Sequence, residues 1–162
     1  MLPSLKDEVL QAIETAQALY HRLVVLVGPA GSGKTPLLKE VSKLVGAPLI
    51  NVNQALSQQM LNLTQRQRAL RAAKLLDQIV KDAAANAGQD LVLLDNTELL
   101  FDVQLRLDPL RLLQQLSRNR TIVASWNGNV SEGYLIYAEP GHPEYRREPV
   151  GDTLIISLSA AS

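Results

Sequence analysis

The sequence predicts an α/β fold: an open, mostly parallel sheet with helices on both faces. Three observations lead there. The apolar runs "LVVLV" (23–27), "LVLLD" (91–95) and "TIVASW" (121–126) read as strands buried on both faces. Segments with helical spacing alternate with them, as in a parallel sheet covered by helices. A glycine-rich loop joins the first strand to the helix that follows it.

Taken in order, residues 5–20 set Leu5, Val9, Ile13, Ala16 and Leu19 at helical spacing behind Ser4 and Asp7 in capping-box positions. A helix is predicted there. The strand 23–27 stops at Gly28, and a helix is expected from about 34 to 45, closed by Gly46. Pro36 is tolerated in its first turn, where a missing N–H has no intrahelical partner. "PLINV" (48–52) predicts a short strand. Thr64 and Gln67 form a capping box for a long helix that ends near Gly88, with Leu76, Ile79, Val80 and Ala83 among its apolar positions. The strand 91–95 ends in the carboxylate of Asp95. Asp108 and Pro109 supply an N-cap and a first-turn proline for a helix over "LRLLQQL". "TLIISL" (153–158) is the last strand, and "YLIYAEPGHPEYRRE" (134–148) reads as a surface loop or ribbon. With no repeat, linker or low-complexity tract, one domain over 1–162 is expected, with an N-terminal helix at about 5–20 and a core at about 22–159.

Composition narrows the function classes. Hydrophobic residues are 46%, charged residues 20% and aromatics 4%, the balance of a globular core built from aliphatic side chains. Sixteen basic residues offset sixteen acidic ones, so net charge argues for neither nucleic-acid nor membrane-surface binding, and a DNA contact would need a local stripe such as Arg68, Arg71, Lys74 and Lys81. Without cysteine there is no disulfide framework and no thiolate metal site. No signal-like N-terminus and no spanning run are visible, and a cytoplasmic location is the expectation.

The loop Gly28, Pro29, Ala30, Gly31, Ser32, Gly33, Lys34, Thr35 fits G-x-x-x-x-G-K-[ST] in its required setting, after a strand and at the start of a helix. Glycines let successive backbone N–H groups converge on a phosphate, and the helix N-terminus adds its positive end. Lys34 is expected at the β- and γ-phosphates, and Thr35 on Mg²⁺ with Asp95, whose strand ends where such sheets bind ligands. No N-K-x-D stretch reads guanine, so ATP is the expected nucleotide. The position after Asp95, where many ATPases of this type carry a water-activating glutamate, is Asn96. Glu98 could serve if the chain turns there, or could merely cap the next helix. Asn127 sits where additional-strand ATPases sense the γ-phosphate, although "NGN" is also a turn signal. Asp102 reads as a solvated acid. Arg146 and Arg147 are the arginine pair best placed to act in trans on a neighbouring subunit's phosphates. These features predict sheet order 5-1-4-3-2, with the Asn127 strand between the two motif strands, in a P-loop fold of the RecA/AAA+ type without a helical lid after its last strand.

The segments "GPAGSGKT", "GAPLINVN", "LVLLDNTELLF", "DPLRLLQQLSRNRTIVASWNG" and "YLIYAEPGHPEYRR" together resemble the BrxF family, small P-loop proteins of BREX phage-defence systems. The similarity runs over nearly the whole chain, and "SRNRTIVASWNG" and "AEPGHPEYRR" are its most specific parts. The resemblance implies nucleotide binding and a role in restricting phage DNA beside other BREX proteins. The residues support a slow ATPase completed in a homo-oligomer. A non-hydrolysing, ATP-dependent adaptor is the second reading, and a small-molecule kinase with "EPGHPEYRR" as a lid the third.

Overall fold

The computed structural model describes residues 4–159. Its frame is a parallel sheet of β1 (Leu23–Gly28), β2 (Leu49–Asn51), β3 (Leu91–Asp95), β4 (Thr121–Asn127) and β8 (Leu154–Ser157). They lie in the order β2-β3-β4-β1-β8 with every pair parallel, which is the 5-1-4-3-2 order the sequence predicts.

The two-residue period of β1 divides the core. Val24 and Leu26 face α1 (Leu5–Ala16) and α2 (Lys34–Val45), packing with Val9, Leu38 and Val41. Leu23, Val25 and Val27 face the opposite side, where α3 (Val52–Gln59), α4 (Gln65–Ala87) and α5 (Pro109–Leu116) lie. Helices therefore cover both faces, which is why β1, β3 and β4 are buried along almost their whole length.

Several caps form as read. Ser4 Oγ accepts from the Asp7 amide, Asp108 Oδ1 from the Arg111 amide, and Thr64 and Gln67 close a full capping box. Other readings need correction. α1 ends at Ala16 rather than near 20, because the chain must turn back into β1 and Gln17 bonds across to Thr121 Oγ1 at 2.8 Å. The strand expected over 48–52 is only Leu49–Asn51. Val52 starts α3, capped by Asn51, whose Oδ1 accepts from the Gln54 amide, and its apolar side chain is buried against the helical layer. Asp102 is half-buried and caps a short 3-10 turn (Val103–Leu105) by accepting from the Gln104 amide at 2.9 Å, so it is not merely solvated.

The crossover from β4 to β8 is a three-stranded antiparallel ribbon of β5 (Asn129–Ser131), β6 (Tyr134–Tyr137) and β7 (Arg146–Pro149). It leaves the sheet at Gly128, where a Cβ would overlap the Ile136 carbonyl oxygen. Trp126 Nε1 donates to that same carbonyl at 3.1 Å. Phe101 stacks on Tyr137 with ring centroids 3.6 Å apart and meets Trp126 edge-on at 4.9 Å. The ribbon is thereby packed onto the segment that follows β3.

Gly128→Ala should lower the unfolding free energy by about 1–3 kcal/mol, the usual cost of forcing atoms into a packed contact. Urea denaturation followed by Trp126 fluorescence measures it, and an unchanged midpoint would contradict the close approach.

Candidate functional site

The parallel register collects the chemistry at one edge of the sheet. Gly28 pairs with Asn127, and β3 ends at Asp95 on the other side of β4, so the segments at the carboxyl ends of β1, β3 and β4 open onto a common pocket of about 350 Å³. Its walls carry Lys34, Thr35, Asp95, Asn96, Glu98 and Asn127.

The loop enters α2 through Gly33, whose φ of 100° belongs to the left-handed region that glycine adopts without strain. No side chain caps α2 and no acid lies in its first turn. Its leading N–H groups are left for an anion. Lys34 is buried, and its ammonium donates to the carbonyls of Gly28 at 2.7 Å and Pro29 at 2.8 Å and to Ser32 Oγ at 3.2 Å. Burial pushes its pKa below the ordinary lysine value, while Asp95 and Glu98 pull it back up. Thr35 Oγ1 donates to Asp95 Oδ2 at 2.6 Å. This hydroxyl–carboxylate pair supplies hard oxygen ligands, and Mg²⁺ accepts such a set because nucleotide phosphates and water complete its shell. Thr35 and Asp95 therefore fit the metal expected from the sequence.

Asn96 resolves the question of the displaced acid. Its φ of 52° is left-handed, a conformation that asparagine tolerates better than most residues. The chain reverses there, Thr97 is buried with Oγ1 donating to the Ser125 carbonyl at 2.7 Å, and Glu98 returns into the pocket at the start of a 3-10 turn, Glu98–Phe101. Glu98 is held at both oxygens. Asn127 Nδ2 donates to Oε1, and Asn53 Nδ2 to Oε2 at 3.0 Å.

Asn53 was not singled out from the sequence. Its Oδ1 accepts from the Leu99 amide at 2.8 Å and its own N–H donates to the Asn96 carbonyl at 3.0 Å, so it braces the whole reversal. The available signal was the pair of asparagines in "NVN", had the helix start at Val52 been recognised.

The arginine pair lies on the ribbon, outside the pocket. Arg146 donates to the Leu107 carbonyl and pairs with Glu148 at 3.2 Å, while Arg147 lies over the Tyr134 ring at 3.5 Å. Among the described residues no arginine lines the pocket.

Anion-binding amides at the end of β1, with β4 inserted between β1 and β3, are the marks of a P-loop nucleotide-binding domain of the additional-strand class. A family model described as "ATPase family associated with various cellular activities (AAA)" matches residues 24–119, and the chain belongs to that family. No curated protein matches the sequence. Among solved structures, the chain is similar to Caenorhabditis elegans PCH-2, at 16% identity and a TM-score of 0.51 over 100% of this chain and 45% of that one. Drosophila ORC bound to DNA (22% identity, TM-score 0.45, 96% of this chain, 42% of that one) and AMPPCP-bound DnaA from Aquifex aeolicus (22%, 0.32, 77%, 39%) also match. The chain spans less than half the length of each. No helix among the described residues is long and apolar enough to cross a membrane.

Two outcomes follow from this geometry. Asn53→Ala removes two hydrogen bonds around a carboxylate and should lower stability by about 1.5–3 kcal/mol, read by urea denaturation. Tyr137 gives a pH signature. Burial, then Glu144 and Glu98, push its pKa from 10.0 up to about 12. The neutral phenol therefore favours the folded state fully below pH 10, and that contribution disappears as pH rises through about 12. Tyr137→Phe should flatten the stability loss across this window, as followed by thermal melts at stepped pH.

Proposed function

We propose that this chain binds Mg·ATP and hydrolyses it slowly, with turnover rising when copies assemble, in the service of a BREX anti-phage system. One observation carries the ATPase reading: Lys34, the Thr35–Asp95 pair and the Glu98–Asn127 pair line a single pocket at the N-terminus of α2. ATP would supply the phosphoanhydride as substrate, and Mg²⁺ would neutralise charge on its phosphates. The α2 amides and Lys34 hold its phosphates, Lys34 exchanging its carbonyl partners for anionic oxygens. Thr35 and Asp95 would hold the cation. Asn127 and Asn53 fix the Glu98 carboxylate so that a remaining lone pair can orient a water and accept its proton. No described arginine enters the pocket, which favours a guanidinium from a neighbouring copy, with Arg146 and Arg147 as the candidates. The defence role rests on the resemblance carried by "SRNRTIVASWNG" and "AEPGHPEYRR".

The double clamp on Glu98 favours a second reading, a non-hydrolysing switch. Amides that occupy both oxygens can hold the carboxylate away from water until a docked defence protein releases it.

Phosphate release from Mg·ATP over about a hundredfold range of protein concentration separates the two, with Lys34→Ala as the blank. Specific activity should climb by about tenfold or more as copies assemble and vanish in the blank, given what a trans arginine contributes. No release above the blank, with mant-ATP binding confirmed, would exclude hydrolysis by the isolated protein and leave the switch.

A further inference from the structure

The start of α4 breaks a local electrostatic rule. Arg66 and Arg68 stand in its first turn, Arg71 and Lys74 follow within the next two turns, and no acid lies between Gln65 and Leu76. The two first-turn cations oppose the helix dipole, so folding alone does not favour them. Arg68 is tied to the Leu63 carbonyl at 3.1 Å, whereas Arg66, Arg71 and Lys74 are exposed with no ion pair among the described residues. In their midst stands Leu70, 73% exposed and the most exposed large hydrophobic residue described. Arg66, Leu70 and Lys74 recur at i, i+4 and i+8. They form one stripe with an apolar knob between two cations.

A surface of the opposite character lies elsewhere. A groove of about 500 Å³ runs between α1 and β8, floored by Leu154 and Ile156 with Ala12, and bordered by Asp7, Glu8 and Gln11. Asp7 and Glu8 are exposed and take no ion pair among the described residues, while the neighbouring Lys6 is already drawn to Glu40. Among the described residues β8 pairs only with β1, which leaves its other edge without a strand partner there. The stripe from Arg66 to Lys74 and the groove wall from Asp7 to Thr15 each span two helical turns, about 12 Å.

We propose that the occupant of this groove is a second copy of the same chain, with Leu70 seated over Leu154 and Ile156 and its flanking cations on Asp7 and Glu8. The two surfaces belong to helices on opposite faces of the sheet, α1 with one core cluster and α4 with the other. One pair of molecules therefore cannot satisfy both contacts reciprocally, and the association is head-to-tail, closing into a ring or growing as a chain. The inference rests on the proposed self-association and names the surfaces that make it.

Sedimentation velocity with Mg·ATP, at low and high salt, tests it. Asp7→Lys with Glu8→Lys, and separately Arg66→Glu with Lys74→Glu, should each raise the self-association Kd by about tenfold or more, since each turns attraction into like-charge contact. The combined four-residue swap should restore association. Leu70→Ser, which leaves every charge in place, should weaken it as well, and added salt should weaken the wild type. All these residues lie outside the nucleotide pocket, so mant-ATP affinity should hold in every variant and reports intact folding. If wild type assembles but neither reversal matters, the surfaces are wrong and self-association stands. If wild type stays monomeric throughout, both fall. If the α4 reversal abolishes only binding to a DNA duplex, the stripe is a phosphate contact and the inference is overturned.

Discussion

A buried ammonium organises the functional end of this molecule. Lys34 is drawn into the protein by its place at the start of α2, and a charge removed from water must find partners close by. Two carbonyls and a hydroxyl provide them, with Asp95 and Glu98 near enough to favour the charged form. Everything else at this edge is arranged around that requirement. The glycine loop exists to bring carbonyls and amides close together, β3 delivers Asp95 beside Thr35, and β4 delivers Asn127 beside Glu98. Beside the ammonium, the uncapped amides at the start of α2 offer donors in the same direction, so cation and donors together suit an anion.

Much of this was legible in the sequence because the residues involved are nearly context-free. Fully apolar, β-branched runs have few homes other than a doubly covered sheet, and "GPAGSGKT" between strand and helix marks where such a fold places its glycine-rich loop. Sheet order followed from the motif strands. The parts that escaped depend on contacts distant in sequence. Val52 looks like a strand residue until the layer made by α4 claims it. Asp102 looks solvated until the Gln104 amide is placed beside it. Asn53 bonds Glu98 and Leu99 across some forty-five positions, which no local pattern announces.

The ribbon is the least ordinary element. A helix would normally carry the chain from one parallel strand to the next, yet β5, β6 and β7 make this crossing. Its anchor is aromatic: Tyr137 against Phe101, and Trp126 bonded to the Ile136 carbonyl. Phe101 closes the turn that Glu98 opens, and Trp126 precedes Asn127. The ribbon thus rests on both segments that carry the Glu98–Asn127 bond, and it presents Arg146 and Arg147 on the same small sheet. The contact between the ribbon and these two segments is made by rings rather than by flexible side chains.

The left-handed backbone at Asn96 also constrains how such a chain can change over generations. An acid moved to position 96 would meet more strain there than asparagine does, which favours opening the reversal. Thr97 would then leave the Ser125 carbonyl, and Asn53 would lose the turn it braces. Moving the carboxylate from position 98 to position 96 is therefore not one change but three, since the turn, the Thr97 bond and the Asn53 brace all depend on where the acid sits.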